Sequence, residues 1–350
     1  MQQIQLTAPY TLRLMEAAAP SPTSEEALID VLQVGICGSD IHLYRNGRIG
    51  EAAMNGPLVL GHEAVGRVRA VADPRYAHLI GQRVAIEPNI PCLRCEYCAQ
   101  GHHNLCPYLR FMGLPPTDGA LRAQLTHPAW LLHPVPDNLD DDEAVLLEPL
   151  AIALHAVDLG KLRTARSVAV LGCGTLGLCV LLLLRRIGMA DVLCTDLVPE
   201  RLELARQLGA DLVLNATTED VVQAGMEHTR QRGFDYVFEC AGVSDTHRQM
   251  VLLAAAGARC LIIGSPDTGQ IILPSDIARR KGLSFLMVRR SRHTLERACK
   301  LAEQGLPLKR LATHHDAPEN CQAAFERVNA RRDGVLKALI QFPQAKDIAS

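Results

Sequence analysis

An excess of charge of either sign is missing from this sequence. Its 36 lysines and arginines face 38 aspartates and glutamates, a formal net charge of −2. Such a surface has no bulk attraction for nucleic acid or an anionic membrane, so any partner must be argued from a specific site. A leader is not expected either: Met1-Gln2-Gln3-Ile4-Gln5 has neither a basic start nor an apolar stretch of signal-peptide length. No internal repeat or low-complexity segment is visible. The longest run without a charge, from Ser167 to Leu184, could by length alone span a membrane. Gly172, Gly174, Thr175 and Gly177 interrupt it in a pattern that has another meaning, and no membrane span is expected.

What is present is enough apolar residue for a large core. Hydrophobic residues make up 48% and charged residues 21% of 350, and at roughly 100–200 residues per domain two domains are expected. Ala27 to Val34, Leu58 to Val71 and Val84 to Ile90 read as strands among irregular loops punctuated by Gly and Pro. After about Leu150 the pattern changes. Ser167–Leu171, Asp191–Thr195, Leu212–Leu214, Tyr236–Cys240 and Arg259–Ile263 read as short strands. Helical stretches follow the first to about Ile187 and the second over Pro199–Leu208. Strands alternating with helices predict parallel βαβ units in a doubly wound α/β domain over 151–285. The remaining residues must extend that domain or return to the first.

There are twelve cysteines, a number that in a short secreted chain would suggest disulfides. Here Cys92, Cys95 and Cys98 are spaced by two residues each, and Cys106 follows. Four thiolates close a tetrahedral shell around zinc and leave no open position, so this site is read as structural, in a reducing, cytoplasmic setting. The alternative is four free thiols in a loop bracketed by Pro91 and Pro107.

A second set is more scattered. Cys37 lies in Gly35-Ile36-Cys37-Gly38-Ser39-Asp40, His62 and Glu63 follow Gly61, and Glu148 precedes Pro149. Thiolate, imidazole and carboxylate form the mixed shell of a catalytic zinc that keeps one position free, where an alcohol could bind and lose its proton. A core cysteine and a Gly-His-Glu turn are the bland alternatives.

Gly172-Cys173-Gly174-Thr175-Leu176-Gly177 follows a strand and opens an apolar helix. That is the dinucleotide fingerprint, in which the glycines allow a tight turn, close approach of the pyrophosphate and close packing of helix on strand. The helix N-terminus offers N–H groups to the phosphates. Asp196 lies 19 residues after Gly177, where a carboxylate binds a ribose 2′-OH and repels a 2′-phosphate. NAD is therefore expected over NADP, with Arg201 nearby as the residue that could weaken the preference.

Taken with the segments 35–50, 56–68, 84–98, 111–121, 146–156 and 170–177, the sequence resembles the zinc-containing medium-chain dehydrogenases over essentially its whole length. Within them it is most similar to the sorbitol, xylitol and idonate dehydrogenases. The resemblance implies a GroES-like β-rich catalytic domain over 1–150, completed by 286–350, with the Rossmann domain at 151–285 and the active site in the cleft between them. By match to the family motif, Cys37, His62 and Glu63 fall on the catalytic zinc positions. Glu148 falls on a ligand or on an acid near the metal's water, and Cys92, Cys95, Cys98 and Cys106 fall on the structural zinc. Ser39 and His42 match a proton relay, for which a hydroxyl and an imidazole are suited. Homo-oligomers, dimers or tetramers, are also implied, with 259–263 and 283–288 as candidate stretches for pairing across a two-fold axis.

Two departures bear on the substrate. Leu43 stands where relatives have an aromatic residue, and Leu114, after Phe111, where they often have threonine. Each change removes a hydrogen-bonding group from the expected cleft. Arg289 matches an arginine used near substrate hydroxyls, and Arg290 beside it would favour an acid. The leading expectation is thus a small-molecule polyol as substrate. A sugar acid or threonine comes second, and a non-catalytic NAD-binding zinc protein is the reading from another class.

Overall fold

The computed structural model describes residues 1–164, 166–267 and 269–343. It divides into two compact units, Met1–Glu148 with the segment from Arg292 onward, and Pro149–Ser291.

The first unit opens with a hairpin absent from the sequence reading, β1 (Gln2–Ala8) against β2 (Thr11–Glu16). Next come β3 (Glu26–Gly35), helix α1 (Gly38–Asn46), β4 (Glu63–Val71), β5 (Arg83–Ile86), β6 (Gln124–Pro128) and β7 (Leu132–Pro134). The stretch Leu58–Val71, expected as one strand, is broken. Leu58–Val59 pairs with β1, Gly61 turns the chain at φ +91°, and β4 begins only at Glu63. A positive φ is open to glycine at little cost, and here it delivers His62 to the start of β4.

The second unit is a six-stranded parallel sheet. Its strands are β8 (Ser167–Leu171), β9 (Asp191–Asp196), β10 (Leu212–Asn215), β11 (Phe234–Glu239), β12 (Ala254–Ile262) and β13 (Ser284–Met287), in spatial order β10-β9-β8-β11-β12-β13. Helix α2 (Thr175–Arg186) follows β8, α3 (Pro199–Gln207) follows β9 and α4 (Ser244–Leu253) follows β11. Both faces of a parallel sheet are covered, so its strands read as continuous apolar runs; all five residues of β8 are buried. The uncharged run at 167–184 is therefore a strand, a turn and part of a helix. Among the described residues no helix is long and apolar enough to cross a membrane.

The chain then returns to the first unit as β14 (Ala312–Asp316) and β15 (Lys337–Gln341), giving a seven-stranded sheet in the order β7-β5-β4-β3-β15-β14 with β6 also on β3. The core between these strands includes Ile29, Val34, Leu60, Leu125, Phe325 and Ile340, all fully buried. One expectation needs correction here. β12 bonds to β11 on one side and β13 on the other, so 259–263 has no free edge; of the two candidate stretches, the one that contains β13 lies at an edge of the sheet.

Candidate metal centres and dinucleotide turn

Strand register brings the mixed donors together. Gly35 of β3 lies opposite Glu63 of β4. Antiparallel strands run on past that pair in opposite directions, so Cys37 meets His62. One donor atom each from Cys37, His62 and Glu63 all lie within 4.8 Å of one another. Glu148, in the first turn of the helix Leu147–Gly160, is outside this donor group. It is buried beside it, and burial pushes its carboxyl up to about 8 against the opposing pull of His62.

Two supporting residues escaped the sequence reading. Asp40 is fully buried. Its Oδ2 accepts from the Cys37 N–H at 2.9 Å, and its Oδ1 accepts from the Gly61 N–H at 3.2 Å and lies 3.5 Å from His62 Nδ1. A carboxylate behind the far nitrogen of a metal-binding histidine fixes its tautomer and ring orientation. Burial opposes a charge on His62, but Asp40 and Cys37 outweigh it and hold the imidazole well above its usual range. Lys337, on β15, is buried with its ammonium spent on Ile36 O at 3.0 Å and on the two Glu63 oxygens at 2.9 and 2.6 Å. The only sequence signal for Lys337 was a lone charge inside the apolar run 335–340.

Ser39 and His42 sit three residues apart on α1, a spacing that puts them on one face of the helix. Ser39 Oγ is 3.4 Å from His62 Nε2, and both Ser39 and His42 are half-buried. Phe111 is buried and its ring packs on that of His62 at 5.1 Å. Leu114 is half-buried against the first unit's core, and Arg289 is exposed in the second unit. Leu43 departs from expectation. It is 0% exposed, inside the first unit's core, so its side chain offers no substrate surface and its difference from an aromatic is a matter of packing.

The four cysteines converge as well. Donor sulfurs of Cys92, Cys95, Cys98 and Cys106 lie within 4.8 Å of one another, with Cys95 Sγ 3.5 Å from Cys98 Sγ and 3.9 Å from Cys106 Sγ. A tetrahedron of Zn–S bonds has edges of about 3.8 Å, so the donors fit the ion. The Arg94 N–H, with neighbouring thiols, draws the Cys92 thiol down to about 6, while burial pushes Cys98 up to about 12. So crowded a set ionises together only around a cation. None of the twelve cysteines is in a disulfide.

The glycine-rich turn has the shape of a phosphate cradle. Gly172 takes φ +101°, and a Cβ at Gly177 would overlap the Gly172 carbonyl oxygen. A Cβ at Gly174 would meet nothing within 4 Å, so space lies open in front of the N-terminus of α2, where Thr175 and Leu176 are half-buried. Asp196 closes β9 with Oδ2 accepting from the Cys173 N–H at 2.7 Å and Oδ1 from the Leu197 and Val198 N–H groups at 2.7 and 3.0 Å. Arg201 is half-buried on α3.

A GroES-like β-domain with two sets of metal donors, joined to a Rossmann domain with a phosphate turn, defines a zinc-binding alcohol dehydrogenase. Family models agree: the alcohol dehydrogenase GroES-like domain matches residues 23–137 and the zinc-binding dehydrogenase domain residues 175–304. The chain belongs to the zinc-containing medium-chain dehydrogenases. It is 32% identical to the sorbitol dehydrogenase of Bacillus subtilis, over 94% of each chain. Among solved structures, it resembles an alcohol dehydrogenase of Escherichia coli complexed with NADH (27% identity, TM-score 0.89, 98% and 99% of the two chains). It also resembles a zinc-binding dehydrogenase of Sinorhizobium meliloti bound to NADP (29% identity, TM-score 0.88, 97% and 98%).

Proposed function

We propose that this protein is a zinc- and NAD-dependent dehydrogenase that oxidises a secondary alcohol of a polyol, xylitol- or sorbitol-like. The observation that carries the reading is the convergence of Cys37, His62 and Glu63 beside the Ser39 hydroxyl. Bound there, zinc supplies a Lewis acid that lowers the pKa of an alcohol, and NAD supplies the hydride acceptor. Asp40 orients His62, and Lys337 fixes Glu63. Ser39 accepts the alcohol proton at the inner end of a relay whose outer end is His42, on the same face of α1. Glu148, buried beside the donor group, is assigned as a further ligand or as the acid that hydrogen-bonds the metal's water. Cys92, Cys95, Cys98 and Cys106 hold a second, structural zinc. Gly172, Gly174, Thr175, Leu176 and Gly177 bind the pyrophosphate. Asp196 binds the adenosine ribose and disfavours NADP, with Arg201 the residue able to soften that choice.

The catalytic domain is assigned to 1–150 with 286–350 and the cofactor domain to 151–285. Phe111, Leu114 and Arg289 are assigned to the substrate. Twelve cysteines without a disulfide suit a reducing cytoplasm. A homo-oligomer, dimer or tetramer, would form through the edge strand β13, whose Met287 is 62% exposed; light scattering showing a monomer removes that part. The adjacent Arg289 and Arg290 favour a sugar acid such as idonate as the second reading, with threonine the other alcohol to test.

The test is NAD and NADP reduction at 340 nm with xylitol, sorbitol, galactitol, idonate and threonine, with and without a chelator. Chelator-sensitive turnover of a polyol with NAD supports the proposal. No turnover of any alcohol by protein that holds zinc and binds NAD would leave a non-catalytic module.

A further inference from the structure

We infer that Glu239 and His247 are positioning residues for the nicotinamide half of the dinucleotide. The inference rests on the proposed NAD binding and adds to it the second wall of the site. In the sheet order β10-β9-β8-β11-β12-β13 the chain moves outward from β8 on one side and from β11 on the other. A doubly wound sheet binds its ligand at that reversal, beyond the carboxyl ends of the two middle strands. One wall is the Gly172 turn after β8. The other is the segment 240–243 after β11. The two touch: the Cys240 N–H donates to Leu171 O at 2.8 Å, and a Cβ at Gly172 would lie 3.1 Å from Ala241 N. Asp196, the adenosine-ribose carboxylate of this motif, ends β9 on the far side of β8. The wall after β11 therefore faces the other half of the cofactor.

A single buried carboxylate shapes that wall. Glu239 ends β11 at 0% exposure. Its Oε1 accepts from the Ala241 N–H at 2.9 Å, the Gly242 N–H at 2.8 Å and the Thr246 hydroxyl at 2.7 Å. Its backbone oxygen accepts from the Ile263 and Gly264 N–H groups at 2.9 and 3.1 Å, which ties in the loop after β12. Oε2 faces His247 Nε2 of α4 at 3.4 Å, an ion-pair approach without hydrogen-bond geometry, and His247 is the polar side chain that faces this oxygen. His247 is itself 1% exposed. A buried carboxylate needs donors on both oxygens, and an apolar pair would fill the same core at least as well. What the polar pair adds is a fixed backbone from Ala241 to Thr246, whose Ala241 and Val243 are exposed at the open end of the sheet.

The test compares dissociation constants of NADH, by its fluorescence, and of ADP, by calorimetry, at a temperature where each variant is fully folded. His247→Leu should weaken NADH about tenfold while leaving ADP within about twofold, since it leaves the buried Oε2 of Glu239 facing only apolar atoms and disturbs one wall only. His247→Gln, which keeps an N–H donor, should recover most of the loss. Thr246→Val, at a half-buried position, removes one donor from Oε1 with little threat to folding and should weaken NADH about threefold with ADP unchanged. Unchanged NADH affinity in these variants overturns the inference, as does equal weakening of NADH and ADP. Failure of the unaltered protein to bind either nucleotide would instead overturn the dinucleotide reading beneath it.

Discussion

The two groups of metal donors in the first unit are built in opposite ways. Cys92, Cys95, Cys98 and Cys106 are four like donors from one short loop. Their closure costs little chain entropy, and the set needs no other side chain. Cys37, His62 and Glu63 come from the end of one strand and the start of another. They depend on Asp40 and on Lys337, which lies 274 residues from Glu63. Uniform donors that fill a shell support a fold. Unequal donors with a charged supporting layer leave a position for chemistry, and the layer sets how they point.

Breaking the mixed set should give the largest functional effect. Cys37→Ser or His62→Ala should lower kcat/KM at least about a thousandfold, through loss of several kcal/mol of transition-state stabilisation, with the melting temperature little changed. A melting temperature that fell in step with activity would mean that both donor sets are structural. Lys337→Met should come next. In metal-free protein it leaves Glu63 buried without its cationic partner, at a cost of about 3–5 kcal/mol in denaturant unfolding, and Lys337→Arg should cost less.

Two buried histidines sharpen the same contrast. His62, beside Asp40 and Cys37, is held high, whereas His127, bonded through Nε2 to Glu87 O at 2.9 Å, is driven by burial down to about 4. Between pH 6.5 and about 4 the unfolded chain takes up a proton at His127 that the folded one refuses. This group's part of stability is therefore complete above pH 6.5 and falls by up to about 3 kcal/mol towards pH 4. His127→Gln, which keeps the donor to Glu87 O, should flatten that part of a melting-temperature profile against pH. The smallest effect lies in the cofactor domain. Asp196→Ala should narrow the preference for NAD over NADP by about tenfold in kcat/KM. A preference left intact would remove the ribose role of Asp196.

The cysteine loop and the Gly172–Gly177 turn were legible because their chemistry is local: spacing alone brings the donors or N–H groups together. The parallel sheet was legible from alternation; its first four strand spans were close to those observed, while the fifth begins at Ala254, five residues before the expected start. The mixed donor set was not legible from spacing, because the register Gly35↔Glu63 creates it, and only family resemblance pointed there. Asp40 was hidden as an ordinary helix-start acid, and Lys337 as a single charge in a buried strand. Leu43 was misplaced because a family position was carried over to the substrate cleft, whereas on this helix successive residues point about 100° apart and Leu43 turns into the core. The N-terminal hairpin was missed because β2 is mostly exposed and carries no clean alternation.

The central claim is that one donor set carries the chemistry and the other the fold. Timed removal of metal by a chelator tests it most directly, with released zinc, NADH formation from a turned-over polyol and circular dichroism followed on one sample. The account predicts two zinc ions per chain. Activity should vanish with the first ion released while the spectrum holds, and structure around residues 92–106 should be lost only with the second. Full turnover after the first ion has left, or only one ion per chain in active protein, would contradict it.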